Sequence, residues 1–473
     1  MHLKRTIGAM ALLAIVAAAC GSSSKSTSTT AAPAQATTTA VSTAATSAAT
    51  ATTAAGPATT AAGNATTTTA AAAANPLAAF GEDPSKADPA LVAKALGPVK
   101  PSDADSWSIV LAAIARANQN LDKATIDKAL ECWHAQSCDT GSGGKLVFGY
   151  ADGGGDTVNV WRGVSHMEAI LQALTYPEIG KIVSTAANFN QDPEVPANDI
   201  RFLVQSGASF IVGYPDAGIA LAGAVKEAEA AGIPYFSFSA GYIGLPGQDG
   251  ALVPGKDYAG VVGENLCDLG KSFADVLNTG VGSGKVAMLG GTPGNALTLG
   301  WQQCTTAALA SGVSLVNPPA DKNSTTGDTY WVNTMALDAV RGLLTTSPDI
   351  KGWAYEYSDG LYTALQAYKE LGIPVKNLTV ALRTDEQTLF CDWKDRAEPT
   401  YNIWYSAGGN FQSRVAVTAA MLTLKKAKVP GEVVVPHVMR QVTAADCNPD
   451  RVNPVVSGTS LVPASVLAEM FKA

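Results

Sequence analysis

The chain has little charge, few histidines and, after its first twenty positions, no long hydrophobic run. Only 15% of the 473 residues are charged, and the formal net charge of −8 is spread without long runs. Nucleic acids and anionic lipid surfaces select basic patches, so this balance argues against both as partners. No window of 18 apolar residues follows the N-terminal segment, and the remainder of the chain therefore predicts no membrane-spanning helix.

The sequence also lacks the common signatures of catalysis and metal binding. It contains no GxSxG elbow, and none of its four histidines stands in a suitable relation to a nucleophile and an acid. The segment GVGSGKV (280–286) has Thr279 where a phosphate loop needs Gly and Val286 where it needs a hydroxyl. His166 and Glu168, two residues apart on a predicted helix, point to different faces. We expect no metal, no cofactor and no enzyme activity, although carboxylates that converge in a cleft would suit a hydrolase.

The first twenty residues have the order of an export signal. A charged start precedes the apolar run 7–16, and three alanines separate that run from Cys20. A cysteine at this junction, followed by Gly-Ser, resembles the lipobox of bacterial lipoproteins, although Ala17 stands where Leu is usual. The resemblance implies cleavage before Cys20, a lipid on that cysteine and attachment to the extracytoplasmic face of the cell membrane. An ordinary secretory signal is the alternative.

Residues 21–75 are almost wholly Ala, Thr, Ser, Gly and Pro, with Lys25 as the only charge. This composition offers no core that could offset the entropy lost on ordering, so the segment predicts a disordered tether. A flexible coil of this length has an r.m.s. span of about 40 Å. The density of Thr and Ser with Pro also suits O-glycosylation.

Seven cysteines less Cys20 leave six, an even number in a chain predicted to be exported. Disulfides are expected in such a compartment. Cys132 and Cys138 are close enough in sequence to close one small loop. No CxxC pair suggests metal ligation instead. For the remaining four cysteines we favour the pairs Cys267–Cys304 and Cys391–Cys447.

Residues 76–144 predict a small helical extension. The residues 102–105 offer an N-cap before apolar residues at helical spacing from Trp107 to Ala115. A second helix is predicted from about Thr125 to His134.

From Lys145 onward, short apolar runs alternate with amphipathic segments. Strands that alternate with helices in this way build parallel sheets. More than 300 residues of this pattern exceed one comfortable core, so we expect two α/β lobes. The lobes are predicted at 145–256 plus about 406–440 and at 257–405 plus about 441–473. Predicted strands include 146–150, 182–183, 210–212, 233–238, 286–289, 313–316, 352–355 and 378–382, and predicted helices include 264–279, 295–311, 328–347 and 358–371.

Several helix-to-strand junctions of this alternating region have characteristic sequences. The segments AEAAGIPYFSFSA (228–240) and YKELGIPV (368–375) each end a helix with Gly and open a strand with Pro. Together with 159–172, 206–216 and 284–295, they resemble the type I periplasmic binding proteins, in particular the sugar-binding branch. The resemblance covers about 145–450. It implies a monomer of two Rossmann-like lobes joined by a three-strand hinge, with a ligand held in the cleft beyond the carboxyl ends of the strands.

In the first lobe, the resemblance implies ligand contacts near two strand ends. Asn159 and Trp161 fit the loop that supplies an Asn and an aromatic stacking on the sugar face. Stacking suits a pyranose because its C–H face is apolar while its edge hydroxyls need hydrogen bonds. Trp161 could instead be a packing residue at a helix start, and Asp216 only a helix cap. The first-lobe candidates are Asp152, Asn159, Trp161, Arg162, Tyr214 and Asp216.

Other positions depart from the residues usual in that branch. Ser239-Ala240 stands where Asp-Arg is frequent. Leu299 stands near the position at which the sugar-binding branch usually has an Arg. Residues 356–359, 383–385 and 404–406 likewise differ from the usual Asn-Asp, Asp and Gln. More aromatic and hydroxyl groups suggest a ligand other than ribose, with a nucleoside or another small polar solute as the alternative to a sugar. The remaining candidate ligand contacts are Ser239, Asn295, Glu356, Ser358, Asp359, Arg383, Asp385 and Tyr405.

The resemblance therefore implies an extracytoplasmic solute-binding lipoprotein. It would capture a small polar ligand, in the first place a sugar, and deliver it to an ABC permease in the membrane. Its mechanism would be hinge closure, in which the ligand bridges both lobes and stabilises the closed form. A sensing module that signals through a membrane partner is the second interpretation, and an exported hydrolase is the third.

Overall fold

The computed structural model describes residues 75–101, 103–117, 121–152, 159–186, 192–395, 401–406, 409–448 and 457–472. The predicted export signal, the lipidation site Cys20 and the predicted tether up to residue 74 lie outside the described residues. Among the helices that the structure describes, none combines the length and the apolar character needed to cross a membrane.

Short helices precede the first sheet, whereas residues 137–139, inside the predicted helical extension 76–144, form a strand of that sheet. The short helices are the 3-10 turns Ala78–Phe80 and Pro84–Lys86 and the helices α1 (Pro89–Leu96), α2 (Ala104–Arg116) and α3 (Lys123–His134). Asp103, within the predicted cap, accepts a hydrogen bond from Ser106 N and so starts α2, whereas Ser102 lies outside the described residues. The apolar face of α2 is buried against a later helix, α13 (Gln412–Leu424), and against the first sheet.

The first sheet has seven strands in the described residues, in the order β1-β3-β2-β4-β5-β6-β12. Apart from β1, which pairs antiparallel with β3, neighbouring strands are parallel. The strands are β1 (Ser137–Asp139), β2 (Leu146–Asp152), β3 (Ile179–Ala186), β4 (Phe210–Tyr214), β5 (Tyr235–Ser237), β6 (Gly260–Gly263) and β12 (Glu432–Val434). The helices α4 (Val160–Ala173), α5 (Glu194–Gln205) and α6 (Ala222–Ala230) connect the early strands.

The second sheet has six described strands in the order β13-β11-β10-β9-β7-β8. Only β13 is antiparallel to its neighbour. The strands are β7 (Gly284–Met288), β8 (Val313–Leu315), β9 (Ile350–Tyr355), β10 (Leu378–Leu382), β11 (Tyr401–Tyr405) and β13 (Arg440–Gln441). The accompanying helices are α7 (Leu266–Val281), α8 (Ala296–Ala308), α9 (Asn333–Thr346), α10 (Ser358–Ala364), α11 (Gln366–Glu370) and α12 (Gln387–Asp395).

The two sheets repeat one topology, which confirms the predicted α/β fold. The order β3-β2-β4-β5-β6 in the first sheet recurs as β8-β7-β9-β10-β11 in the second. In both sheets the strand order reverses beside the first strand of the repeat. A crevice forms at such a switch point, outside the carboxyl ends of the strands. We call the two sheets with their helices the first lobe and the second lobe.

The chain passes between the lobes at three places near the predicted hinge. β6 belongs to the first sheet, so the first passage follows residue 263. We had expected this passage after residue 256. The second passage lies between β11 and α13, which packs on α4 and on strands of the first sheet. The third lies between β12 and β13.

Residues 457–472, which we call the C-terminal strap, connect the lobes once more. Ser457 Oγ and Thr459 N donate to the Asp385 carboxylate of the second lobe, the latter at 2.9 Å. Ser460 Oγ donates at 2.8 Å to Glu168 on α4 of the first lobe. The strap ends in α14 (Ala464–Met470), which contacts α3. We had expected 441–473 in the second lobe, and this last helix is an exception because its apolar face is buried on the helical extension.

The six cysteines of the described chain form the three pairs expected from the sequence. Their Cα atoms are 5.1 Å apart in Cys132–Cys138, 5.1 Å apart in Cys267–Cys304 and 4.8 Å apart in Cys391–Cys447. These bonds join α3 to β1, α7 to α8, and α12 to the segment after β13. Each bond therefore links neighbouring elements of the fold, and none of them spans the cleft between the lobes.

Candidate functional site

A cleft lies between the carboxyl ends of the two sheets, where the shared topology predicts a site. Seven of the candidate residues line it, together with residues that sequence reasoning did not select. The free cavity at its centre is about 20 Å³, which is room for a single water molecule. The structure therefore shows a closed cleft. The lining residues are Asn159, Trp161, Arg162, Tyr214 and Ser239 of the first lobe and Leu297, Trp331, Glu356, Tyr357, Arg383 and Thr384 of the second.

Arg162 is the charged centre of the first-lobe wall. One guanidinium nitrogen donates to Asp152 at 2.5 Å and another donates to Asp216 at 2.7 Å. Asp152 ends β2 and Asp216 follows β4, so the switch point of the sheet brings them together around the first turn of α4. Burial alone would lower the pKa of Arg162, but the two carboxylates raise it above its usual value. The guanidinium is thus a fixed and fully charged group.

Aromatic rings surround this ion pair. The Trp161 ring lies 5.9 Å from Tyr214 and 6.0 Å from Phe238, measured between ring centroids. Trp331 approaches from the second lobe, with its ring 5.8 Å from that of Tyr214 and 5.4 Å from the Arg162 guanidinium carbon. Burial raises the pKa of Tyr214 well above its usual value, so its hydroxyl stays neutral. The cleft thus offers aromatic surface to the apolar face of a guest.

Glu356 organises the second-lobe wall. Its Oε1 accepts hydrogen bonds from Thr298 Oγ1 and Trp301 Nε1, both at 2.5 Å, and its Oε2 accepts one from Trp331 Nε1 at 2.6 Å. Burial raises the pKa of Glu356, and these three donors act in the opposite direction. Both carboxylate oxygens are therefore occupied by protein donors.

Arg383, directly after β10, connects the second lobe to the hinge. Its Nε donates to Glu264 in the first passage between the lobes, and its Nη2 donates to Ser239 of the first lobe at 2.7 Å. Gln412, at the start of α13, donates to the other Glu264 oxygen at 2.9 Å. Burial would raise the pKa of Glu264, but the adjacent guanidinium lowers it to about 2. This network therefore connects the first and second passages between the lobes to the cleft lining.

Asn295 makes a direct bond from lobe to lobe. Its Oδ1 accepts from Leu297 N at 3.0 Å and so caps α8, while its Nδ2 donates to the carbonyl oxygen of Asp216 at 3.1 Å. Sequence reasoning placed Asn295 among the ligand contacts. In this closed form both ends of its side chain bind protein atoms.

Ser358 and Asp359 lie behind the second-lobe wall rather than in the cleft lining. Ser358 Oγ donates to Glu386, as does Thr384 Oγ1. Asp359 accepts from Asn333 Nδ2 at 2.7 Å. Burial raises the pKa of Glu386 to about 7, and the two hydroxyl donors offset only part of that effect.

Asp385 and Tyr405 lie outside the cleft, although we expected both to contact a ligand. Asp385 binds the C-terminal strap, and the Tyr405 hydroxyl donates to Asp446 at 2.5 Å. Both residues line a separate polar cavity of about 230 Å³ on the second lobe. Tyr405 ends β11 and Asp385 follows β10, but the later segments 440–448 and 457–459 contact their side chains.

Several residues of this site were not among the candidates: Leu297, Trp331, Tyr357 and Thr384 of the cleft lining, and Glu264 and Gln412 of the hinge network. We predicted a helix from 328, whereas α9 begins at Asn333, and Trp331 belongs to the irregular segment before it. One signal was present in the sequence, namely the pair Gly290-Gly291. A Cβ on Gly291 would lie 1.9 Å from the Trp331 ring, so only glycine leaves room for the indole.

A family model described as "Periplasmic binding protein domain" matches residues 172–424, just over half of the 473 residues. The chain belongs to the periplasmic binding protein family. No curated protein sequence matches it. The matched range runs from the end of α4 to the end of α13 and thus includes the second wall of the cleft and the first two passages.

Solved structures of this family share its fold. An ABC transporter solute-binding protein from Agrobacterium vitis with bound D-fucose has a TM-score of 0.53 and 18% identity, covering 66% of this chain and 99% of that one. The arabinose-binding component from Shewanella sp. ANA-3 has a TM-score of 0.53 and 16% identity, covering 63% and 93%. A solute-binding protein from Actinobacillus succinogenes 130z with bound D-allose has a TM-score of 0.50 and 18% identity, covering 64% and 99%. At this identity the likeness concerns the type I fold alone.

Proposed function

We propose that this periplasmic binding protein captures a neutral sugar in the cleft and delivers it to an ABC importer. The observation that carries the proposal is the composition of the cleft, in which aromatic rings from both lobes face one another beside fully paired charges. A pyranose or furanose has an apolar C–H face for the rings and hydroxyls for the polar rim. The named ligands of the structural neighbours, D-fucose, arabinofuranose and D-allose, are all neutral sugars.

The charges of the cleft favour a neutral guest over an acidic one. Within the described residues, Arg162 is bound by two carboxylates and Arg383 by Glu264, while Glu356 adds a further carboxyl group. A guest carboxylate would find no unpaired cation there, and its desolvation would go uncompensated. Sugar acids and amino acids are therefore expected to bind poorly.

Asn159 provides one open position for a guest hydroxyl. Its side chain is 5% exposed and lines the cleft, and its Oδ1 has no hydrogen-bond donor among the described residues. A buried acceptor without a donor is unfavourable. A sugar hydroxyl that donates to this oxygen would satisfy it.

Loading requires the lobes to separate, because the closed cavity holds no more than one water. Ligand that bridges both walls would then favour the closed form by its differential affinity for it. The predicted lipid on Cys20 and the tether that follows would keep the loaded protein near the permease. Replacement of that cysteine, Cys20→Ser, is expected to release the protein from membranes to the soluble fraction.

The test is a thermal-shift screen of the purified full chain with D-fucose, L-arabinose, D-allose, their sugar acids, nucleosides and amino acids. A neutral sugar is expected to raise the melting temperature through mass action, and its acid is not. Trp161→Ala should abolish the shift, whereas Trp404→Ala, which alters an aromatic of a separate groove, should retain it. Shifts by amino acids alone, or consumption of the sugar during the assay, would contradict the proposal.

A further inference from the structure

The backbone that carries Trp331 is unfavourable in isolation. Tyr330 and Trp331 have φ angles of 52° and 55°, in the left-handed region that bulky residues rarely adopt. The segment belongs to no helix or strand, since it lies between β8 and α9. Its conformation must therefore be imposed by contacts with the rest of the second lobe.

Two glycines impose the path of that backbone. Thr329 N donates to Gly290 O at 3.0 Å, and Tyr330 N donates to Gly291 O at 3.0 Å. Thr329 Oγ1 also bonds to the Tyr355 hydroxyl at 2.5 Å. These contacts fix the backbone position from which the Trp331 side chain projects, but none of them involves its indole N–H.

Glu356 supplies the contact that fixes the indole. The Trp331 N–H donates to Glu356 Oε2 at 2.6 Å, a charge-assisted bond in a buried setting. The carboxylate is itself held from the other side, because Thr298 and Trp301 of α8 donate to Oε1. A fixed acceptor of this kind determines how far the ring projects towards Tyr214 and Arg162.

We propose that Glu356 is the positioning residue of the aromatic second-lobe wall and sets the affinity of the cleft through Trp331. The proposal rests on the proposed function insofar as it concerns sugar affinity. Three protein donors occupy Glu356, two on Oε1 and the Trp331 indole on Oε2. Its effect is transmitted by the ring that it orients.

The first test needs no ligand. The indole N–H signals of the eight tryptophans are recorded by ¹⁵N-correlated NMR, and Trp331 is assigned from the signal missing in Trp331→Phe. Glu356→Gln should displace this signal and accelerate its hydrogen exchange about tenfold, since the charged acceptor is lost. Thr298→Val removes one of the two donors to the other oxygen and should displace the Trp331 signal less than Glu356→Gln does. Glu370→Gln, at an exposed carboxylate outside the cleft, is the matched control and should leave the signal in place.

The second test measures D-fucose affinity by calorimetry. Glu356→Gln is expected to weaken binding about tenfold, and Thr298→Val less than threefold, a limit on the order of a neutral hydrogen bond. In a Trp331→Phe background, which lacks the indole N–H, Glu356→Gln should add no further loss. If Glu356→Gln does not fold, Glu356→Asp shifts the carboxylate by one methylene and should displace the same indole signal.

Two results would overturn the proposal: an unmoved Trp331 signal in the Glu356 variants, or losses of affinity that add fully in the double variant. If D-fucose binds none of the proteins, including the unaltered one, the sugar assignment fails. The indole signals still decide whether Glu356 positions Trp331 in that case.

Discussion

The two walls of the cleft face each other across a gap of one water, yet they are built differently. The first-lobe wall has a guanidinium held between Asp152 and Asp216, two carboxylates at neighbouring strand ends. The second-lobe wall has a carboxylate, Glu356, held among indole and hydroxyl donors. The central group of one wall is thus a guanidinium with carboxylate partners, and the central group of the other is a carboxyl group with neutral partners. The same strand order can therefore carry opposite electrostatic arrangements.

This difference leads to different expected costs when a central group is removed. An ion pair in the interior is costly to break because the remaining partner stays buried and charged. A carboxylate with neutral donors can instead accept a proton when its surroundings favour it. The first wall should therefore respond most to substitution, and the second to pH.

The largest effect is expected from Arg162→Met. It leaves Asp152 with no exposed surface and no guanidinium, and stability should fall by about 3–5 kcal/mol. Urea unfolding at pH 7 measures this loss. Arg341→Met, whose side chain is 40% exposed and pairs with Glu370, is the control and should cost far less, because solvent screens an exposed ion pair. Equal losses of stability in the two variants would show that the buried ion pairs of Arg162 contribute no more than an exposed pair.

The next effect concerns pH and Glu386, behind the second wall. Burial raises its pKa to about 7, near the carboxylates of Asp385 and Asp359, while the unfolded chain ionises near 4.5. The folded protein then retains a proton that the unfolded chain releases, so stability should fall as pH rises from about 4.5 to 7, by up to about 3 kcal/mol.

Glu386→Gln should remove this fall, as seen in melting temperatures at pH 5 and pH 7.5. Glu370 is an exposed carboxylate whose side chain is 44% accessible. Glu370→Gln should show the same fall in melting temperature between pH 5 and pH 7.5 as the unaltered protein. Glu264 behaves in the opposite sense, since its pKa of about 2 makes its contribution complete above pH 4.5 and lost towards pH 2. An unchanged slope in Glu386→Gln would contradict the assignment.

A smaller effect is expected where the walls touch directly. Asn295→Ala removes the cap of α8 and the bond to the Asp216 carbonyl, which should cost about 1 kcal/mol and favour the open form. Asn265→Ala is a matched control, because Asn265 caps α7 in the same way, through Cys267 N and Asp268 N. Small-angle scattering should show a larger radius of gyration for the first variant only. Identical radii of gyration in the two variants would show that the closed form does not depend on this contact.

The smallest effect on stability is expected for Asn159→Ala. Because Oδ1 has no donor among the described residues of the closed protein, its removal should change unfolding stability by less than about 1 kcal/mol. The sugar-induced thermal shift should nevertheless shrink. A variant with reduced stability and an unchanged shift would assign Asn159 to the fold rather than to the guest.

Local patterns predicted the elements well and the first wall better than the second. β10 has the predicted bounds 378–382, and α8 lies within the predicted 295–311. Asn159, Trp161 and Arg162 stand together at a helix start, so one local motif locates all three. Trp331 depends on backbone bonds to Gly290 and Gly291, some forty positions away in sequence.

Tyr405 illustrates the opposite difficulty. Its strand β11 was not among the predicted strands, and its side chain bonds to Asp446, on a segment that adds no periodic pattern. Asp385 is comparable, because the residues that cover it lie more than seventy positions later in the chain. Such long-range contacts leave no signal in the local spacing of apolar residues.

The C-terminal strap constrains the geometry of opening. Thr459 is held to Asp385 of one lobe, and Ser460, the next residue, is held to Glu168 of the other. Successive Cα atoms are about 3.8 Å apart, so these two carboxylates cannot move far from each other while both bonds persist. In a rigid rotation, only points near the axis keep their separation. The axis of any opening that preserves these bonds must therefore run close to Thr459 and Ser460, and the widest displacement must occur at the rim farthest from them.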